Sequence, residues 1–430
     1  MSAMTLDRAT INRMVGKIVH LLETKCIALN GTRPDWSGLF AAAVDDICAS
    51  TTRHEFEARI SDVLNRGGLS HVAFFHESGQ RAPARYAISA TFMATDDSPA
   101  RWMFQDVHEG GPAYEAGIRP GDILVTVNGQ DARPPGVPTF CLGADANVVI
   151  EDANGQVRSL TVVLPKADPA RRSGRPPMAE PTAVSARLLG DGVGYVKIAF
   201  FPGANGQRFA RALDAALASM PACDTLIIDL RGNLGGFVGS LRLMSYLTAE
   251  RVPIGYSMTR AGQDRGLRKE QLVCLDRLPA TTLDMLKMAF RFKVLHRDRS
   301  VRLVTEGLGP KPFHGRVTIL INQHTCSAGE MVAAFAAENR LATLVGRRTS
   351  GQVLGGANFP VGDGYVLRLP AAGWFTWAGN VVEGLGVNPH VNCDFDPRNR
   401  TDLVEQLRDA EALPSAQLFA ASRPQVVEEL

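Results

Sequence analysis

Ser327 and the glycine pair Gly235-Gly236 have the types and spacing that could do chemistry, and that chemistry is acyl transfer. Thr318–Glu330 reads TILINQHTCSAGE, an apolar run that stops at small and polar residues and passes into the alanine-rich pattern Ala328–Arg340. Such a run predicts a central strand followed by a helix, which puts Ser327 on the turn between them. There the unpaired first-turn amide of Ala328 and the helix dipole can both serve an oxyanion. Thr225–Gly236 reads TLIIDLRGNLGG, a second buried strand ending in glycines that allow backbone N–H groups to approach a ligand. A plainer reading competes: Ser327 with Glu330 also spells a helix capping box. Cys326 is the rival nucleophile, but Ser327 alone directly precedes the helix, and Cys326 fits a small buried residue.

A serine nucleophile needs a base, and two histidines stand as candidates. His324 lies three residues before Ser327 on the same turn, too close to reach the hydroxyl in line, and reads as a loop or substrate-side residue. His71 follows Ser70 after the Gly67-Gly68 break and precedes an apolar run. A purely structural histidine fits that place too. Asp229, Arg231 and Asn233 read as structural, ending the strand and forming the glycine turn.

The elements that must position these groups fall into blocks. Residues 1–85 carry helical spacing (Ile11, Val15, Ile18, Val19, Leu22; Phe56–Leu64) and predict a helical N-terminal domain. Residues 86–165 turn to short strands. At their centre Gly110–Gly129 (GGPAYEAGIRPGDILVTVNG) predicts a short helix from Pro112, a turn at Pro120-Gly121, a strand Ile123–Val127 and an Asn128-Gly129 hairpin. This block resembles the second half of a PDZ domain, which binds a peptide strand at a sheet edge. On that resemblance Gly110 and Gly111 become substrate-binding candidates. Residues 166–184 are rich in Pro, Arg and Ala and predict a linker. Residues 185–396 alternate strand-like and helical runs and predict an α/β layer with parallel strands, while Ser257–Arg316 is less regular and could cover the site. Residues 397–430 predict a helical tail.

Composition narrows the class. The chain has 430 residues, 45% hydrophobic and 21% charged, which is ample for a core, and a formal net charge of +2 with no basic stripe, which gives no reason to expect nucleic acid. Seven scattered cysteines without a CxxC pair predict free thiols in a reducing compartment. Nine histidines include no HExxH, so no metal is expected. No stretch is long enough to span a bilayer and no signal sequence is evident, so a cytoplasmic location is expected.

LIIDLRGNLGG, ILINQHTCSAGE, LVGRRTSG and VEGLGVNPH, with the PDZ-like block upstream, resemble the tail-specific or C-terminal processing serine peptidases. Their relatives include the tricorn protease core and the interphotoreceptor retinoid-binding protein. The resemblance implies a multi-domain α/β protein with a ClpP/crotonase-like protease core. It implies Ser327 as nucleophile and an oxyanion hole from Ala328 with Gly235 or Gly236. The processing branch takes its base from a lysine, but Gln352 stands at that position here and becomes a substrate-side candidate. The tricorn branch uses a Ser-His pair and a later glutamate, which implies Ser70, His71 and Glu383; a plain surface carboxylate in a turn also fits Glu383. The implied function is hydrolysis of peptide bonds in protein or peptide substrates without cofactor, in a possible homo-oligomer. The alternative is a non-catalytic ligand- or peptide-binding protein on the same fold.

Overall fold

The computed structural model describes residues 7–409, except 28, 30–33, 80, 167–177, 190–191, 204, 221–222, 237, 296–297, 310–314 and 400–402. Most of the expected linker and of the expected helical tail therefore lies outside the described residues.

The site-bearing layer is a six-stranded sheet in the order Val184–Leu188, Val193–Ile198, Thr225–Asp229, Arg316–Ile321, Thr343–Gly346, Val391–Asn392. The first pair is antiparallel and the rest are parallel, each crossover passing out of the sheet. The α/β alternation expected for residues 185–396 is present, with helices at Gln207–Ser219, Ser240–Tyr246 and Ala328–Glu338. Continuous apolar runs such as Leu226, Ile227, Ile228 and Ile319, Leu320, Ile321 suit strands covered on both faces. One face packs Leu213, Leu241, Val332 and Phe335; the other packs Val193, Tyr195, Ile227 and Leu320 against Val404 and Leu407. The helix Leu403–Asp409 thus belongs to the core layer rather than to a separate tail.

A second sheet was not legible as such. It runs Ala73–His76, Tyr365–Thr376, Pro253–Thr259, Val301–Val304, Val273–Leu275, with Gly355–Gly362 also paired to Tyr365–Thr376. Three of its strands come from the stretch read as irregular, so that stretch contributes sheet as well as the helix Thr282–Phe290. The N-terminal helices Arg8–Lys25 and Arg53–Asn65 bury Ile11, Ile18, Phe56 and Ile60 against this sheet, on Phe74, Tyr365, Leu367 and Leu369. The strand Ala73–His76 pairs antiparallel with Tyr365–Arg368. The N-terminal third is therefore helical but does not stand apart: its last strand is woven into a sheet built from residues three hundred positions later.

The PDZ-like unit is a six-stranded antiparallel sheet from Ala90–Ala94 to Val157–Val162, with the expected strand Ile123–Val127, to which Gln130–Asp131 also pairs, and a helix Pro112–Glu115 led by Pro at its first turn. Arg81–Pro83 pairs with Thr139–Cys141, so this unit begins a few residues before position 86.

Phe56 is fully buried and meets Phe74 and Tyr365 edge-on at 5.5 and 5.1 Å. Phe56→Ala is expected to cost about 3–5 kcal/mol. Thermal unfolding would read the loss.

Candidate active site

Ser327 stands where the strand Arg316–Ile321 has turned into the helix Ala328–Glu338, with φ 54° and ψ −119°. A non-glycine residue in that region is strained, by roughly 1–3 kcal/mol. Its neighbour Cys326 is buried, its Sγ 3.3 Å from the Asn233 carbonyl and 2.8 Å from an Arg85 Nη2, while Ser327 is partly exposed. Burial pushes the Cys326 thiol up, away from a reactive thiolate.

The glycine turn lies directly against this serine. A Cβ on Gly235 would fall 2.6 Å from the Ser327 Cβ, and Gly235 already has φ 74°. Only glycine fits there. The Gly235 N–H is turned into the protein, donating to Asn233 Oδ1 at 2.9 Å. Among the described residues the N–H groups of Gly236 and Ala328 have no protein acceptor. The oxyanion alternative left open in the sequence thus separates: Gly236 and Ala328 have amides to offer, and Gly235 provides closeness. Asn233 also donates to the Ile198 carbonyl at 2.8 Å, as a turn-former should. Asp229 takes both Arg231 and Lys197 and the Tyr195 hydroxyl. Burial alone would raise its pKa, but the two cations outweigh this and hold it far below the ordinary range. Asp229 and Arg231 form a structural ion pair.

The Ser70-His71 pair comes from the other sheet. His71 Nδ1 is 2.7 Å from Ser70 Oγ, and His71 itself has φ 59°. Glu383 is buried. Its Oε1 accepts the Ser70 backbone N–H at 2.9 Å and its Oε2 the Val353 N–H at 2.8 Å. It holds the main chain of Ser70, not the hydroxyl through which it was expected to act. Next to Val353, the Gln352 carbonyl accepts the Ser327 N–H at 2.8 Å. Six residues from segments far apart in the chain are thereby linked: His71, Ser70, Glu383, Val353, Gln352 and Ser327. Ser327 Oγ and His71 are not hydrogen-bonded to each other among the described residues, and catalytic bonds of this kind often tighten only with substrate.

Sequence reasoning missed the larger part played by Glu330. Its buried carboxylate accepts from Thr349 Oγ1 (2.6 Å), Gly351 N (2.6 Å), Gln352 N (2.7 Å), Ser350 Oγ (3.2 Å) and Ser327 N (3.2 Å). The capping-box contact is one of five, and the rest clamp the loop 349–352 onto the serine turn. Nothing in the spacing S-A-G-E signals those four partners. Two other candidates move. Gln352 acts through its main chain, with its side chain exposed. Gly111 is buried, and a Cβ there would fall 2.5 Å from Ser89 Cβ, so the expected substrate contact at Gly111 is corrected to an internal packing contact. Gly110 is exposed beside Thr182, whose Oγ1 a Cβ there would meet at 2.5 Å. His324 is not at the hydroxyl either; its Nε2 lies 2.9 Å from the Phe92 carbonyl of the PDZ-like edge strand.

Residues 192–393 match the model of peptidase family S41, and residues 103–136 match a PDZ domain. The core region is thus similar to peptidase family S41. The chain is 27% identical over 361 residues to a tricorn protease homolog of Streptomyces coelicolor, a match covering 79% of this chain and 26% of that one. It is 24% identical over 285 residues to a carboxyl-terminal-processing protease of Synechocystis sp., covering 65% of this chain and 56% of that one. It therefore spans about a quarter of the first relative and little more than half of the second. Among solved structures, a photosystem II D1 C-terminal processing protease superposes with a TM-score of 0.53 at 18% identity, over 96% of this chain and 98% of that one, which establishes a shared fold. Among the described residues no group of His, Cys, Asp and Glu is arranged to hold a metal ion, and no helix is long and apolar enough to cross a membrane.

Burial, then the guanidinium charges of Arg368 and Arg85, push His71 down to about 4. This imidazole therefore stays neutral well below the ordinary histidine range near 6.5. The acid limb of kcat/KM, which reports the free enzyme, is expected near pH 4 rather than near 6.5. The same depression means that the unfolded chain binds a proton the folded chain refuses between those values. Its contribution to stability is complete above about pH 6.5 and declines as pH falls toward 4. Glu330→Gln leaves at least one buried donor without an acceptor, which is expected to cost about 1–3 kcal/mol, read by denaturant unfolding.

Proposed function

We propose that this chain is a serine-type peptidase of the tricorn-like subtype, working through an acyl-enzyme on Ser327. The observation that carries this reading is the strained, partly exposed Ser327 on its strand-to-helix turn, flanked by free amides on Ala328 and Gly236 and joined through Glu383 to a Ser-His pair from the far end of the chain.

The chemistry follows from the donors. With Nδ1 facing Ser70 Oγ, a neutral His71 carrying its proton on Nδ1 leaves Nε2 as the base. Nε2 removes the Ser327 proton as Oγ attacks the carbonyl carbon of the peptide bond. The carbonyl π electrons move to oxygen, and the oxyanion accepts from Ala328 and Gly236. Collapse of this intermediate breaks the C–N bond, and the imidazolium gives its proton to the departing amine. Water, activated by the same imidazole, then frees the acyl group. Ser70 stabilises the imidazolium transiently formed, and Glu383 fixes Ser70. The PDZ-like unit would bind or gate the substrate. Seven free cysteines support a reducing, cytoplasmic setting. Self-association remains part of this reading.

A fluorophosphonate probe tests it. The wild type should be labelled, Ser327→Ala should not, and His71→Ala should label at least about a hundredfold more slowly. Unchanged labelling in both variants refutes the assignment. Glu383→Gln keeps one good acceptor for two N–H donors, so its loss in kcat/KM should be smaller than that of His71→Ala; equal losses would show that Glu383 does more than position Ser70.

A further inference from the structure

Two guanidinium groups stand beside this site without a carboxylate in ion-pair contact; the Glu330 carboxylate acts on Arg85 only from beyond that range. Arg85 donates to Cys326 Sγ at 2.8 Å, one residue from Ser327, and its Cζ lies 4.9 Å from the centre of the Tyr86 ring. A neutral thiol is a weak acceptor and leaves the charge uncompensated. Arg368 sits across the sheet from Ala73, two residues after His71, and donates from Nη1 to Asn358 Oδ1 at 3.1 Å. Its head lies flat on Gly356, where an added Cβ would fall 2.7 Å from both Nε and Nη2. Both side chains are only partly exposed, and neither has an ion-pair partner among the described residues. Two other arginines drawn into the fold are paired: Arg231 with Asp229, and Arg242 with Asp214 and Glu306.

A partly buried cation is costly unless an anion completes it. We propose that Arg85 and Arg368 form a carboxylate-binding subsite beside Ser327 and His71, so that the favoured substrate presents a carboxylate next to the bond that is cut. The inference rests on the peptidase reading for the word substrate, but the subsite itself is a binding property. A guanidinium matches a carboxylate with a two-pronged fork, and two of them acting on one imidazole select for charge as well as for shape. The same two charges are the named electrostatic causes that depress His71, after burial. A bound carboxylate would offset them and return basicity to the imidazole, so an acidic substrate should gain in kcat and not only in KM. The carboxylate could be an acidic side chain or the free C-terminus of a peptide.

The test uses alanine-rich decapeptides with a single Glu or Gln at each central position, each made with a free and with an amidated C-terminus. Cleavage is followed by mass spectrometry with the full-length protein. Binding of the same peptides, fluorescently labelled, to the Ser327→Ala protein is measured in parallel. Wild-type cleavage and Ser327→Ala binding should each favour the carboxylate-bearing peptide by about tenfold to a hundredfold. The Glu–Gln pair reports the side chain, and the acid–amide pair reports the C-terminus. Arg368→Gln and Arg85→Gln should bring the ratio to about one, whereas Arg368→Lys, which keeps charge but loses the fork, should retain part of it. Should Arg85→Gln fail to fold, as a thermal melt would reveal, the Arg368 pair decides alone. Equal binding of Glu and Gln peptides together with equal binding of acid and amide overturns the subsite, as does a preference unchanged in Arg368→Gln. Preferential binding without any Ser327-dependent cleavage would uphold the subsite and defeat the peptidase reading instead.

Discussion

The site depends on one buried carboxylate more than on any other group. Glu383 accepts one N–H from Ser70 and one from Val353, and so ties the segment of His71 to the loop that carries Gln352. Gln352 in turn accepts the N–H of Ser327. Without that tie, the segments of His71 and Ser327 would belong to two different sheets with no shared anchor. A carboxylate has two oxygens in one plane and can bridge two donors that no neutral side chain of its size could satisfy together. The bonds it makes are to backbone, so it fixes chain paths and not merely side-chain directions.

Strain and clamping occur together. Ser327 and His71 both have positive φ, a conformation that L-residues with side chains avoid. Conformations of this kind persist only where surrounding bonds over-determine them. Around Ser327 these are the five donors to Glu330, the Gln352 carbonyl, and the glycine contact at Gly235 that excludes any larger residue. Around His71 they are Ser70 and the antiparallel strand that starts two residues later. The hydroxyl and the imidazole are thus presented by rigid elements, at the cost of local strain, and the packed N-terminal helices contribute the stability that offsets it.

The PDZ-like unit is joined to the same turns by polar contacts. Asp106 accepts from Asn322 at 3.0 Å, the His108 imidazole reaches the Gly232 carbonyl at 2.9 Å, and Gln323 donates to Gln105 at 2.7 Å. Asn322 also accepts the Gly232 N–H at 2.9 Å. The strand Trp102–Val107 and the residue after it therefore touch both the glycine turn and the approach to Ser327. A shift of that strand would be felt by the turns that carry the free amides. These contacts line a cavity of about 610 Å³ between the unit and the core sheet. His108 is held neutral by burial and by Lys197, pushed down to about 4.

Apolar runs, turn residues and short-range spacing are local properties, and they were enough to determine the parallel core sheet, the placement of Ser327 before its helix, the PDZ-like strand Ile123–Val127 and the helical character of the N-terminus. They also marked Ser70, His71, Ser327 and Glu383 as one set, but only through resemblance, since no local rule links residues so far apart. The second sheet escaped because its strands are drawn from widely separated stretches of the chain, so no periodicity spans them. The four loop partners of Glu330, the turning of the Gly235 amide toward Asn233 and the packing of Gly111 against Ser89 are matters of which atoms meet across the fold. Hydrogen bonds and close packing between distant segments decide such things, and they have no one-dimensional signature for a sequence to display.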